Sequence, residues 1–191
     1  MTTSTIYRPF PKITRFSREV WVSEKIDGTN AQIVISDDGT EIQAGSRTRW
    51  ITTESDNFGF AAWVQENKSE LLKLGPGVHA GEWFGRGIQR TYGLTERRFA
   101  LFNVSRWSDD KVRPSCCHVV PVLWRGNFDA LNAGLLVENL RVNGSVAVPG
   151  YTKPEGIIIF HTASGTLFKK TLEKDDSFKG EPDTTRSGFI L

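Results

Sequence analysis

Apolar and polar residues alternate with a period of two over much of the chain, the spacing of half-buried strands. Val20 to Ile26 reads as one strand, and Thr29 to Ile35 as a second with Ala31, Ile33 and Ile35 on one face. Asp38-Gly39 supplies the positive-φ turn of a hairpin into Thr40–Ala44. The period then lengthens. Phe58, Ala61, Ala62, Leu71, Leu72 and Leu74 form an apolar helix face over Phe58 to Leu74, with Asp56 or Asn57 as cap and Gly75-Pro76-Gly77 as stop. Strands follow at Val78 to Phe84, Phe99 to Val104 and Val119 to Trp124. A second helix is predicted from Phe128 to about Leu140, ended by Asn143-Gly144. The last third reads as a hairpin, with Gly156 to His161 turning at Ser164-Gly165 into Thr166 to Lys170, before a polar tail from Lys174. Many hairpin-linked strands and two helices predict an α+β fold with largely antiparallel sheets, as a single domain over residues 1–191.

Composition narrows the class. The chain has 191 residues, 38% hydrophobic and 24% charged, an ordinary globular balance. No apolar run approaches the roughly 18 residues of a membrane helix, and the N-terminus has no apolar signal core. No membrane partner is expected, and the cytoplasm is the expected compartment. Cys116 and Cys117 are adjacent, which fits neither a relaxed disulfide nor a zinc site, and His79, His118 and His161 lack ligand spacing. The six tryptophans are assigned mainly to packing. A net charge of +2 does not mark a nucleic-acid binder, but its distribution is uneven. Arg8, Lys12, Arg15 and Arg18 precede the first acid, Glu19. Arg86, Arg90, Arg97 and Arg98, with Arg47 and Arg49, form a candidate basic rim for a phosphodiester strand.

Four segments place ionisable groups at the edges of apolar strands. Glu24-Lys25-Ile26-Asp27-Gly28-Thr29-Asn30 ends a strand in a lysine, then an acid and a glycine. Glu82 lies inside the aromatic strand Gly81 to Gly85, and Glu155 at the mouth of the β-branched strand Gly156 to Phe160. Lys169 and Lys170 end the next strand. One lysine nucleophile, two separated carboxylates and a second lysine suit nucleotidyl transfer. An amine attacks the α-phosphorus of a nucleoside triphosphate and pyrophosphate leaves. Carboxylates hold a hydrated divalent cation, and the cation and second lysine take up charge on the phosphate oxygens.

The ordered set resembles the covalent nucleotidyltransferases and, within them, the RNA ligase domain proteins. EKIDGTN (Glu24 to Asn30) is similar to their first motif, and GSRTRW (Gly45 to Trp50) to the short element after it. GEWFGRGIQ (Gly81 to Gln89) resembles the third motif, and RFALFNV (Arg98 to Val104) the aromatic strand that follows. PEGIIIF (Pro154 to Phe160) and FKKTLEKDD (Phe168 to Asp176) resemble the fourth and fifth. The resemblance runs from about Phe10 to Lys179.

It implies an antiparallel-sheet, ATP-grasp-like adenylation domain with a few flanking helices, acting as an ATP-dependent RNA ligase. Lys25 is then the nucleophile that becomes lysyl–AMP, with Asp27, Lys169 and Lys170 as catalytic companions. Glu24, Ile26, Asn30, Arg47, Glu82, Phe102, Glu155 and Lys169 are the implied nucleotide contacts, Phe102 stacking on adenine in preference to Phe99. Glu155 and Glu82 are the implied holders of Mg²⁺ or Mn²⁺. The implied partner is RNA, or DNA, with 5′-phosphate and 3′-hydroxyl ends, bound by a monomer that uses an accessory protein for efficient sealing. A DNA nick ligase, a capping-type transferase and a non-catalytic nucleic-acid-binding module are the alternatives.

The sequence departs from the family pattern in three ways. Lys169 and Lys170 are adjacent where the family commonly spaces two lysines by one residue, so they point to opposite faces, and Lys169 is favoured for the pocket. Asn103 stands where an acid is usual. The sequence after Lys170 is too short for an oligonucleotide-binding barrel, so no accessory domain is expected.

Overall fold

The computed structural model describes residues 12–173. The first eleven residues and the tail from Lys174 lie outside it, and with them Arg8 of the basic run and the end of the fifth motif. The described chain forms two sheets. The first has strand order β10-β9-β1-β8, from Thr166–Thr171, Gly156–His161, Glu19–Lys25 and Val122–Asn127. The second has order β4-β3-β2-β5-β6-β7, from Trp50–Ile51, Ile42–Ser46, Thr29–Ile35, Gly77–Gly85, Arg97–Leu101 and Cys117–Val119. Pairing is antiparallel except between β6 and β7. The α+β class and the hairpins read from the sequence are present, with Gly39 (φ 72°) and Gly165 (φ 66°) at their turns.

Each sheet buries one face under helices. Ala31, Ile33 and Ile35 of β2 pack with Trp83, Phe99 and Leu101 against Phe60, Ala61 and Val64 of α1 (Phe60–Glu66) and Leu71 of α2 (Lys68–Leu71). Val20, Val22, Ile157 and Ile159 of the first sheet pack against Val137 and Leu140 of the helix Ala133–Asn143. A third cluster of Ile26, Phe84, Tyr92, Ala100, Val120 and Val148 seals the junction of the two sheets. Each alternation keeps one face apolar and leaves the other for polar work.

Four expectations are corrected. The helix over Phe58 to Leu74 is broken into α1, α2 and a 3₁₀ turn at Leu72–Leu74. Asp56 still serves its start, since its carboxylate oxygens accept from the amides of Ala61 and Ala62 at 2.8 and 3.0 Å. The strand over Phe99 to Val104 stops at Leu101, because the Asn103 side chain caps α3 (Val104–Trp107). The strand over Val119 to Trp124 is two strands in different sheets. Pro121 between them has no amide hydrogen to continue a ladder, and its carbonyl accepts from the Glu24 amide at 3.0 Å. The helix from Phe128 is a 3₁₀ turn, Phe128–Ala130, followed by α4 (Ala133–Asn143) with Asn132 as its cap. Among the described residues no helix is long and apolar enough to cross a membrane.

Candidate active site

The site forms where β1 leaves the first sheet and the chain crosses to β2. Lys25 is the last residue of β1 and is in register with Gly156, the first residue of β9. That rung brings Glu155 to the lysine, and Nζ of Lys25 lies 2.5 Å from Oε2 of Glu155. The Leu172 amide donates to the Glu155 carbonyl at 2.9 Å, which ties the same segment to the end of β10. The two side chains are 23% and 20% exposed, so a reactant can reach them.

The register of β10 settles which way its lysines point. Lys169 pairs with Ile158, which pairs with Ser23, two residues before Lys25. Side chains in register share a face, so Lys169 stands on the Lys25 face. Lys170 pairs with Ile157, which pairs with Glu24, and stands on the opposite one.

The second sheet contributes Glu82. Asn30 and Glu82 are in register across β2 and β5, on the face turned away from the helices. Oε2 of Glu82 accepts from the Asn30 side-chain amide at 2.7 Å, and Oε1 from the Gly28 backbone amide at 3.0 Å. Gly28 is required here, because a Cβ at that position would lie 2.4 Å from the Trp83 carbonyl oxygen. Burial pushes the Glu82 carboxyl up to about 7, and the Asn30 hydrogen bond, Lys25 and the Gly28 amide only partly oppose it.

Oδ2 of Asp27 accepts from Nε of Arg90 at 2.9 Å. Its backbone amide donates to the Tyr92 hydroxyl at 2.7 Å. Desolvation raises the pKa of that buried phenol. Arg90 therefore belongs to the site interior, not to a basic rim.

The other arginines of the candidate rim lie nearer the surface, with Arg47, Arg49, Arg86 and Arg97 exposed. Arg97 donates to the carbonyls of Arg86 and Phe58, Arg98 pairs with Glu96, and Arg49 donates to the Trp50 and Ser55 carbonyls. Arg47 sits in the β3–β4 turn, one residue past the Ala31–Ser46 pair and so near Asn30.

The remaining expected contacts lie in three different surroundings. The Glu24 side chain is 1% exposed and faces the α4 side, where it accepts from the Ser145 hydroxyl at 2.6 Å and the amides of Val146 and Ala147 at 2.7 and 2.8 Å. It pins that loop on the face opposite Lys25. The Ile26 side chain lies in the junction cluster. Phe102 is 42% exposed on the face shared by Ala100 and Glu82, whereas Phe99 is fully buried against α1.

Among the described residues no three His, Cys, Asp or Glu side chains gather closely enough to enclose a metal ion. Glu155 suits a different arrangement, since Mg²⁺ keeps several waters and uses one or two carboxylates with substrate phosphates. Both oxygens of Glu82 already hold N–H donors, which fits it less well as a direct metal ligand. A cavity of about 490 Å³ lies between β3, β4 and α1 and is lined by none of these groups.

Sequence reasoning assigned Arg90 to a rim and missed Tyr92, Tyr151 and the Lys153 carbonyl. These join the site through loops, where no periodicity signals proximity. Gly87 and Gly93 at the ends of the loop, both with positive φ, were the available hint of an unusual backbone path.

Two β-sheets meeting over a lysine and carboxylates define a nucleotidyltransferase-type α+β fold. The family model for RNA ligase matches residues 18–179, and the chain belongs to the RNA ligase family. Solved structures of a Naegleria gruberi RNA ligase share the fold. A variant with AMP and Mn superposes with a TM-score of 0.62 at 18% identity, over 82% of this chain and 50% of that one. The form with PPi gives 0.59 at 22% identity over 81% and 50%, and a variant with ATP and Mn gives 0.58 at 18% over 81% and 49%. The chain thus spans about half the length of these structures. No curated protein matches the sequence.

Proposed function

We propose that this chain is the adenylation domain of an ATP-dependent RNA ligase, with Lys25 as the nucleophile. The observation that carries the reading is the Lys25–Glu155 contact, made across the two sequence-distant segments that resemble the family's first and fourth motifs. In the first step Nζ of Lys25 gives up a proton and attacks the α-phosphorus of ATP. An N–P bond forms, the bond to the bridging oxygen breaks, and pyrophosphate departs. AMP then passes from Lys25 to a 5′-phosphate end, and a 3′-hydroxyl displaces it to form the phosphodiester. ATP, AMP and PPi, found with the Naegleria enzyme and its variants, are the substrate, transferred group and leaving group of that first step.

The roles follow from placement. The Lys25–Glu155 pair must open before the amine can attack. Glu155 is the residue that would hold Mg²⁺ or Mn²⁺, whose chemistry when bound is to draw charge from the phosphate oxygens. Lys169 supplies a second cation on the same face for the α-phosphate. Glu82 fixes Gly28 and Asn30, and with them the turn after the nucleophile. Asn30 and Arg47 border the ribose and phosphate side, and the exposed Phe102 ring offers a stacking surface for adenine. Strand joining by this chain, rather than adenylate formation alone, is part of the same proposal.

The test is incubation with α-labelled ATP and Mg²⁺ or Mn²⁺, then denaturing electrophoresis. Label is expected on the wild-type protein, not on Lys25→Ala, and not from γ-labelled ATP. A wild-type protein that binds RNA but takes no label would favour the non-catalytic module instead.

A further inference from the structure

Arg90 reaches three parts of the site from one loop. Its Nε donates to Asp27 Oδ2 at 2.9 Å and its Nη1 to the Lys153 carbonyl at 3.2 Å. Nη2 lies 3.9 Å from Glu173, just past β10. Asp27 is two residues after Lys25, and Lys153 is two residues before Glu155. The planar guanidinium, with donors fixed in a fork, therefore spans the two segments that carry the Lys25–Glu155 pair.

The loop that presents Arg90 has an unusual backbone. Gln89, Thr91 and Tyr92 have φ of 43°, 56° and 55°, in the left-handed region that side chains other than glycine rarely adopt. Such conformations persist only where surrounding contacts hold them, and they concentrate at working sites. The contacts are present here. Tyr92 is 2% exposed, takes the Asp27 amide on its hydroxyl at 2.7 Å, and lies with its ring 4.6 Å from that of Tyr151. Tyr151 in turn donates to the Arg90 carbonyl at 3.4 Å. The strained path turns the Arg90 side chain and the Tyr92 hydroxyl onto the same residue, one holding the carboxylate of Asp27 and the other its backbone.

We propose that Arg90 is a positioning residue for nucleotidyl transfer: by bridging Asp27 to the Lys153 carbonyl it fixes the separation of Lys25 from Glu155 and so sets the rate of attack. The proposal rests on the adenylation reading above, with Arg90 acting through the two segments and not on the nucleotide itself. Misplacing a reacting group by about 1 Å can cost on the order of 100-fold in rate, which gives such a bridge leverage.

The test compares wild type with Arg90→Lys and Arg90→Gln. A lysine keeps the charge, but a single ammonium does not reproduce the fork across both acceptors. Label transfer from α-labelled ATP is measured against ATP concentration. At least a 10-fold fall in maximal rate is expected for both variants, with KM for ATP changed less than threefold. A rise in KM or a loss of RNA affinity at unchanged maximal rate would overturn the proposal and return Arg90 to a ligand-contacting role. Amide hydrogen exchange on the same proteins supplies a readout that needs no activity. Faster exchange at Gly28 and Gly156, with the β2–β5 core unchanged, is expected in both variants, and unaltered protection there would also overturn the bridge. Should the wild type take no label, the adenylation reading fails, and with it the role in catalysis; the exchange result then shows whether the bridge itself exists.

Discussion

Lys25 and Glu155 are separated by 130 positions in sequence, yet Nζ and Oε2 meet at 2.5 Å because β1 and β9 end on the same rung. The contact is a property of sheet register. Any slip of one residue in β9 would turn the Lys25 neighbours to the other face and carry Glu155 away.

The pairing has a measurable consequence. Glu155→Gln keeps the shape of the side chain but removes the charge opposite Lys25 and, on the proposed reading, the carboxylate that would hold a divalent cation. Label incorporation at saturating ATP is expected to fall by about 100-fold or more. The stability cost is expected to stay below about 2 kcal/mol, because each partner retains some solvent. Rate and urea midpoint measured on one preparation check both parts. A large loss of stability with near-normal labelling would mean that the pair serves the fold alone.

The adjacent lysines of β10 allow a sharper comparison. Lys169 shares the Lys25 face and Lys170 the Glu24 face. Lys169→Ala is therefore expected to slow adenylate formation by about 100-fold with little change in melting temperature. Lys170→Ala is expected to change the rate less than threefold. Equal losses, or a larger loss at Lys170, would assign the pocket lysine to the other position.

Phe99 and Phe102 divide along the same kind of line. Phe99 is fully buried among Phe60, Trp63 and the second sheet, so Phe99→Ala should cost about 3–5 kcal/mol. Phe102 is exposed beside Ala80, to whose carbonyl its amide donates at 3.0 Å. Phe102→Ala should cost less than about 1 kcal/mol in stability and raise KM for ATP several-fold. Denaturant curves and initial rates separate the two. Unchanged KM in Phe102→Ala would remove it from the nucleotide site.

Much of this was legible in the sequence, for physical reasons that differ by element. The strand ending in Lys25 announces itself by alternation, the one carrying Glu82 by its aromatic residues Trp83 and Phe84, and the one that follows Glu155 by the β-branched run Ile157 to Ile159; the opposite facing of Lys169 and Lys170 follows from a period of two. Glu24 shows the limit of that reasoning. Alternation sets it on the face away from Lys25, but not that Ser145, Val146 and Ala147 wait there to receive it. Pro121 carried a signal that alternation concealed, since a residue without an amide hydrogen marks where β7 ends and the chain changes sheets. Arg90 and Tyr92 were beyond reach. Their approach to Asp27 depends on left-handed backbone at Gln89, Thr91 and Tyr92, which local propensity disfavours and only the closed structure supports.

Glu82 should make stability depend on pH in a defined window. Its carboxyl is raised from an ordinary 4.5 to about 7, chiefly by burial. The folded state therefore binds this proton more tightly than the unfolded chain does. The stabilisation is fully present below about 4.5 and is lost as pH rises through about 7. A shift from 4.5 to about 7 corresponds to roughly 3.5 kcal/mol at most, since each unit is worth about 1.4 kcal/mol. Glu82→Gln removes the titration while keeping an oxygen for the Gly28 amide, and Asn30 can rotate its own amide oxygen toward the new NH₂ group. The difference in unfolding free energy between wild type and Glu82→Gln, measured in urea, is expected to favour the wild type more at pH 5 than at pH 8. Comparing the two proteins at each pH cancels the other ionisable groups to first order. An identical difference at both pH values would mean that Glu82 stays ionised throughout, held by the Gly28 and Asn30 donors and by the charge of Lys25 in spite of its burial.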